Sequence, residues 1–241
     1  MTEADFLDDY DPAAFERSSV TVDLVLLGVQ QGRPTALLVQ REHQPFARRR
    51  ALPGGFVQID EALDNAAQRI LHDKAGIHVA HLEQLYTFGA VKRDPRMRII
   101  TVAYLGLLAE DAFAGALKAS PALLPAAIHV PWTGERGGPV DAQAPDGEPL
   151  SLAFDHADIL AMAILRLRGK LDYSDVGFAL LPESFTLRQL QDVHEAILGT
   201  SLNKPAFRRR MLDKGWIEGT GERETGASFR PAELYRFKSQ S

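Results

Sequence analysis

With 241 residues, 45% of them hydrophobic and 24% charged, the chain has the make-up of a globular protein able to bury a substantial core in one large or two smaller domains. It contains no cysteine, which excludes disulfides, thiolate metal sites and cysteine nucleophiles. No run approaches the roughly 18 apolar residues of a membrane span, and the first residues are acidic rather than those of a signal peptide, so the cytoplasm is the expected location.

Residues 1–18 carry Glu3, Asp5, Asp8, Asp9, Asp11 and Glu16 against one arginine, and read as an arm that is mobile or docks late, with no chemistry assigned to it. Val/Leu-rich runs from Ser19 to Val29 and from Thr35 to Arg41, separated by Gln31-Gly32-Arg33-Pro34, predict a hairpin that opens a sheet. Arg41, Arg48, Arg49 and Arg50 then crowd ahead of Gly54 and Gly55. Guanidinium forks and free backbone N–H groups at a glycine turn suit phosphate oxygens, although a solvated basic loop is the alternative for any one of these arginines.

From Glu61 onward, Leu63, Ala66, Ala67, Ile70, Leu71 and Ala75 recur at helical spacing and predict a helix with one buried face. Gly55, Glu61, Arg69, Leu71, Gly76 and Ile77 fall at the spacing of a Nudix box, G-x5-E-x7-R-E-U-x-E-E-x-G-U with U aliphatic. The three carboxylates that follow the arginine in that pattern are here Ile70, Asp73 and Lys74. Carboxylates on that patch of helix would hold Mg²⁺, a hard cation that takes oxygen ligands and shares them with substrate phosphates. An alkyl group at 70 supplies nothing, and the ammonium of Lys74 repels a divalent cation but suits a diphosphate. The expectation is therefore a pocket that binds a nucleotide diphosphate without cutting it, with no catalytic residue and no metal. Its binding residues are expected to be Arg41, Arg48, Arg49, Gly54, Gly55, Glu61, Arg69 and Lys74. The competing reading is an active diphosphate hydrolase using Asp60, Glu61, Asp64 and Asp73 in an altered metal site.

Strands are predicted at Leu85–Val91 and Ile99–Leu108, joined by a turn at Lys92-Arg93-Asp94-Pro95-Arg96; with the helix between them and the hairpin, they imply α/β or α+β layering. From Glu110 to Leu150 there is little periodicity, and only a short strand at Ile128–Trp132 and a flexible stretch from Gly134 to Gly147 are expected. Trp132 reads as a core or edge residue in preference to a cover for an adenine ring. The pattern changes at Ser151, which divides an effector-binding domain at 19–150 from a second domain at 151–241. Asp155 and Asp158 predict a capped helix with a stripe of Ile159, Leu160, Ala163 and Leu167, and His156 is assigned to packing or capping rather than acid–base work.

Thr186 with Gln189 forms a predicted capping box and Phe185 with Leu190 a hydrophobic staple, opening a helix that stops at Gly199. Asn203 caps a second helix, with Pro205 in its first turn. Two helices joined by so short a turn predict a helix-turn-helix. If Phe207 and Met211 point inward, Arg209 points away and Arg208 and Arg210 lie to either side, an arrangement suited to phosphates and guanine edges. Between Lys204 and Lys238 nine basic residues face five acidic ones, a net +4 in a chain of net −5. Strands at Trp216–Glu218 and Glu233–Phe237 would flank a wing at Gly219–Pro231, with Arg230 entering a minor groove. The expected DNA-binding residues are Thr186, Arg188, Asn203, Lys204, Arg208, Arg209, Arg210 and Arg230; a winged helix used for protein contact is the alternative.

The box at 55–77, the Lys92–Arg96 segment, Leu152-Ala153-Phe154-Asp155-His156 and the tail from Phe207-Arg208-Arg209 through Arg230-Pro231-Ala232-Glu233-Leu234-Tyr235-Arg236-Phe237 together resemble the NrtR family, Nudix-related transcriptional regulators of NAD metabolism. The resemblance covers nearly the whole chain. It implies an α/β (α+β) Nudix-like sandwich domain followed by a winged helix-turn-helix domain. It also implies a homodimeric bacterial repressor that binds double-stranded operator DNA of NAD biosynthesis or salvage genes, with ADP-ribose as effector and no cofactor. Metal binding and catalysis do not carry over where Ile70 and Lys74 depart from the hydrolytic pattern, which leaves Glu61 and Arg69 to brace the loop as an ion pair.

Overall fold

The computed structural model describes residues 2–79, 81–225 and 231–238. The acidic arm, expected to be mobile or to dock late, contains a short helix α1 (Glu3–Asp9) opened by a capping box in which Thr2 and Asp5 exchange side-chain and backbone bonds, and none of its residues is buried. The predicted hairpin follows as β1 (Ser19–Gln30) and β2 (Arg33–Gln40), turning at Gln31 and Gly32. Two short strands, β3 (Arg50–Ala51) and β4 (Gly54–Phe56), pair with β2 and β1 and carry the chain into α2 (Leu63–Ala75). Next come β5 (His81–Phe88) and β6 (Ile99–Leu107).

The main sheet has the order β5-β6-β1-β2, continued by β7 (Leu123–His129), β8 (Asp141–Gln143) and β9 (Pro149–Leu150). β1 and β6 are parallel and interior, with Ser19–Leu27 matched to Ile99–Leu107. A strand covered on both faces needs apolar residues throughout, which is why both read as near-continuous hydrophobic runs. Alternate β1 residues serve opposite layers, as the two-residue period of a strand dictates. Val22, Leu24 and Leu26 join Ala66, Ala67, Ile70 and Leu71 of α2, together with Phe113 and Ala116 of α3 (Glu110–Ala119). Val25 and Leu27 join Ile159, Leu160, Ala163, Ile164 and Leu167 of α4 (His156–Lys170).

Three expectations need correction here. The segment after Glu110 contains a helix, α3, and three strands, β7, β8 and β9, where only one short strand and a flexible stretch were expected. α4 is the second helical layer of the sandwich, so the change of pattern at Ser151 marks the approach to a helix and not a break in packing. Asp155 precedes α4 but makes no capping bond; its carboxylate is held by Arg93 instead.

The core beneath α4 continues through Leu190, Val193, Ile197, Phe207, Met211 and Tyr235 into the last third of the chain. There α5 (Leu187–Leu198) and α6 (Lys204–Asp213) lie beside a small sheet in which β12 (Glu233–Phe237) sits between β11 (Ile217–Arg223) and β10 (Ser184–Thr186). β10 was not expected as a strand. The Thr186–Gln189 capping box forms as predicted, and Gly199 ends α5 at φ +68°, a left-handed conformation that glycine adopts without a Cβ penalty.

Candidate nucleotide pocket and nucleic-acid interface

A cleft of about 560 Å³ opens over the β1–β4 pairing, lined by Arg41, Gly54, Gly55, Phe56, Asp73 and Lys74 and by three groups from further along the chain: Arg93, Asp94 and Arg96, then Phe154, then His156. Gly54 lies against β1 so closely that a Cβ there would stand 2.3 Å from Asp23 Oδ1 and 2.8 Å from the Val22 carbonyl. Any side chain would push this strand off the sheet and distort the cleft floor.

Beneath the floor lies a buried polar network. Arg93 donates to both oxygens of Asp155 at 2.8 and 2.6 Å and reaches Asp23 at 3.5 Å, while Thr101 donates to Asp23 at 2.8 Å. His156 Nδ1 accepts the Leu52 N–H at 2.8 Å, and burial lowers its pKa. A neutral imidazole engaged with the backbone fits the structural role expected of it. Arg41 and Arg96 both stack near Phe154, at 4.8 and 5.8 Å from its ring centre, and Arg96 also lies 5.9 Å from that of Phe56. Burial, and then the repulsion of Arg96, lower the pKa of Arg41. Burial works to raise the pKa of Asp94, but hydrogen bonds from the Arg96 guanidinium and backbone outweigh it and the net shift is downward. The cleft thus combines aromatic faces with guanidinium and ammonium groups, the chemistry that takes a base or sugar at one end and phosphate at the other.

Of the eight residues expected to bind effector, Arg41, Gly54, Gly55 and Lys74 line this cleft. Glu61 and Arg69 lie outside it, joined by two 2.7 Å bonds; Arg69 also donates to the Phe56 carbonyl and Glu61 accepts from Gln58 N–H, so the pair braces the loop between β4 and α2. Hydrogen bonding to Arg69 lowers the pKa of Glu61 and raises that of its partner. Arg48 and Arg49 are also outside the cleft lining: Arg48 bonds through its backbone to Arg41, and the Arg49 guanidinium lies 5.1 Å from the Phe46 ring. Ile70 is buried beneath Gly55, and Asp73 faces His72. Asp64 accepts the Tyr104 hydroxyl at 2.5 Å, and burial, then this bond, raises the tyrosine pKa. Among the described residues no three His, Asp or Glu side chains converge as metal ligands. Trp132 does not line the cleft; it donates to the Pro139 carbonyl and carries the guanidinium of Arg168 at 4.4 Å.

On α6, Phe207 and Met211 are buried while Arg208, Arg209 and Arg210 are exposed. Arg210 is drawn toward Asp172 at 3.2 Å and over Phe207 at 5.6 Å. Lys204, Arg208 and Arg188 border one groove between α5, α6 and β12. Arg188 is exposed but paired with Asp192. Two expected DNA-binding side chains are otherwise occupied. Thr186 is buried with its hydroxyl in the capping box, and Asn203 Oδ1 accepts the Ala206 N–H at 3.0 Å, so both act through helix geometry. Arg230 lies outside the described residues. Sequence reading missed the clamp on the turn between the helices: Glu195 accepts the Leu202 N–H at 2.8 Å and the Gln191 amide at 2.7 Å, while Gln191 also donates to the Leu202 carbonyl.

Two family patterns match the chain: a NUDIX domain over residues 17–122 and an NrtR DNA-binding winged helix domain over residues 177–237. The ADPR responsive transcriptional repressor NtrR of Acinetobacter baylyi is 38% identical over 241 residues, which covers 99% of this chain and 90% of that protein. The chain belongs to the NrtR family. The crystal structure of Shewanella oneidensis NrtR complexed with a 27mer DNA is 33% identical and superposes with a TM-score of 0.73, covering 91% of this chain and 93% of the other. The NUDIX domain of the same protein complexed with ADP ribose is 32% identical with a TM-score of 0.50, covering 69% of this chain and 99% of that domain. The fold is thus an NrtR fold, an N-terminal Nudix domain followed by a C-terminal winged helix. No helix among the described residues is long and apolar enough to cross a membrane.

Proposed function

We propose that this NrtR-family protein is a transcriptional repressor that senses ADP-ribose through a Nudix pocket devoid of hydrolytic chemistry, acting as a homodimer in the bacterial cytoplasm on operators of NAD biosynthesis or salvage genes. The observation that carries this reading is Lys74: an ammonium lines the cleft where the hydrolytic pattern has a carboxylate, in a chain that ends in a winged helix. The diphosphate of the effector meets Lys74, Arg41 and Arg96, and a ring of the ligand lies against Phe154 or Phe56. The donor set does not fit Mg²⁺. Ile70 is alkyl and buried, Glu61 is held by Arg69 and Asp64 is engaged by Tyr104. These engagements also disfavour the altered metal site of an active hydrolase.

The DNA-facing residues are Lys204, Arg208 and Arg209 at the exposed side of α6, which enters the major groove, while the wing between β11 and β12 follows the backbone. Two copies related by a twofold axis would read half-sites about 10 bp or a multiple apart. The test is fluorescence anisotropy with a duplex from upstream of the protein's own gene or neighbouring NAD genes, at two salt concentrations, with and without ADP-ribose. Specific binding that ADP-ribose weakens supports the reading. Specific binding indifferent to ADP-ribose would refute the effector, and release of AMP from ADP-ribose in Mg²⁺ would refute the loss of hydrolysis.

A further inference from the structure

Helix α4 has one end in the nucleotide cleft and the other on the DNA-reading module. At its start, Phe154 lines the cleft with a positive φ of 51°, an uncommon conformation for a bulky residue, and Asp155 is held bidentately by Arg93. Three turns on, about 18 Å away at about 1.5 Å rise per residue, Arg168 is buried to 4% exposure with no carboxylate partner among the described residues. Its Nε donates to the Ile197 carbonyl at 2.8 Å, in the last turn of α5. Its Nη1 donates to the Trp132 and Gly134 carbonyls at 2.8 and 3.2 Å, and its guanidinium stacks on the Trp132 ring.

A buried guanidinium without a counter-charge is costly to keep. Here the cost is offset by carbonyl oxygens that belong to two different parts of the molecule: the loop after β7, and the end of the helix that leads into the turn before α6. Only the planar fork of an arginine reaches all of them at once; a lysine ammonium in the same place offers a single nitrogen. Beside this joint a polar cleft of about 920 Å³ separates the β1–β2 turn and β7 from α5 and the 199–201 turn, leaving room for α5 to shift against the sheet.

We propose that Arg168 is the positioning residue that couples the nucleotide cleft to the DNA-reading helices: a ligand that moves the first turn of α4 moves α5 through this three-carbonyl grip. The inference rests on the nucleotide-responsive reading above. A shift of α4 along or about its axis carries the guanidinium with it, and the Ile197 carbonyl must follow or lose its bond. Because Ile197 is two residues from Gly199, where α5 ends, the displacement reaches the turn that sets the angle of α6.

The test compares wild type with Arg168→Met and with Trp132→Leu, which removes the shelf under the guanidinium but none of its hydrogen bonds. Three quantities are measured: the Kd for ADP-ribose, the Kd for the operator duplex alone, and the operator Kd at saturating ADP-ribose. In wild type the last two should differ by roughly 5- to 150-fold, as is usual for a coupled regulator. In Arg168→Met the first two should stay within about threefold of wild type while their coupling falls below about twofold, and Trp132→Leu should lie between. A merely structural role would weaken both affinities together and leave their ratio unchanged. A folded Arg168→Met protein that retains wild-type coupling overturns the proposal. If that variant does not fold, undiminished coupling in Trp132→Leu does so instead. A wild-type protein whose operator affinity ignores ADP-ribose overturns the nucleotide-responsive reading, and the coupling role with it.

Discussion

Lys74 lines the cleft and Arg209 stands exposed on α6, and in the proposed function each charge serves a different partner. Lys74 lines the cleft and, in the proposed complex, makes a charge-assisted bond to a diphosphate oxygen, worth about 1.5 to 3 kcal/mol. Lys74→Ala should therefore weaken ADP-ribose binding by about 10- to 100-fold, read by calorimetry in the presence of a chelator. The wild-type Kd should be the same with chelator as with Mg²⁺; a requirement for Mg²⁺ would show that the metal, and not the ammonium, meets the phosphate. Arg209 is exposed on α6 and makes no ion pair among the described residues, in contrast to Arg210, which is shared with Asp172. Arg209→Ala should weaken operator binding and reduce its salt slope by about 1 while leaving the ADP-ribose Kd unchanged. Normal operator affinity in that variant would remove α6 from the groove. Lys74 and Ile70 were legible in the sequence because the box fixes their spacing. Arg93, Arg96 and Phe154 were not, because they reach the cleft from two distant segments, and the only local signal was an unusual density of charge around Pro95.

At the scale of elements, legibility followed how strongly each segment states its own ends. α5 announces itself with a complete capping box and a terminal glycine, and the structure forms it within those limits. Thr186→Ala removes the hydroxyl that caps α5 and costs about 1 kcal/mol. In a chain of this size that lowers the melting temperature by about 2 to 4 °C, measurable by calorimetry. An unchanged melting temperature would mean that the packing of Phe185 and Leu190 alone holds the helix start. α3 was illegible for the opposite reason: Ala109 in the capping position makes no side-chain bond, and only Phe113 and Ala116 of its ten residues are buried, too few to print a periodic stripe. β10 was hidden because three residues cannot show alternation and Thr186 already reads as a cap. α4 was visible as a helix, but its stripe does not say which surface it covers. That partner is β1, more than a hundred residues earlier, and a pairing so distant leaves no local trace.

Across the whole molecule the net charge of −5 conceals a basic module on an acidic body, while the apolar core runs without interruption from β1 through α4 to α6. Two buried histidines stand along that core, His156 under the cleft and His194 in α5, where its Nδ1 lies 2.9 Å from the Leu190 carbonyl and its ring packs edge-on to Phe207. Burial is the main cause that lowers both pKa values. Asp23 and Asp155 oppose it at His156 while Arg93 and Arg41 add to it; at His194 the Leu190 carbonyl and Asp172 oppose it while Arg210 and Lys214 add to it. The sign follows from linkage. An unfolded histidine takes up its proton near pH 6.5, whereas each folded one stays neutral to lower pH. The stabilisation is thus complete above about pH 6.5 and is lost as pH falls toward the folded pKa values, at up to about 1.4 kcal/mol per pH unit for each group. From about pH 7.5 to about 5.5 the protein should therefore lose stability, with a slope no steeper than about 1.4 kcal/mol per pH unit for each ring. Urea unfolding at the two pH values measures this directly, and a His156→Gln/His194→Gln variant should lose most of the slope even if its absolute stability is lower. A wild-type midpoint that does not move over that interval would mean that both rings accept a proton in place, and that the core around α4 and α5 is more hydrated than its packing indicates.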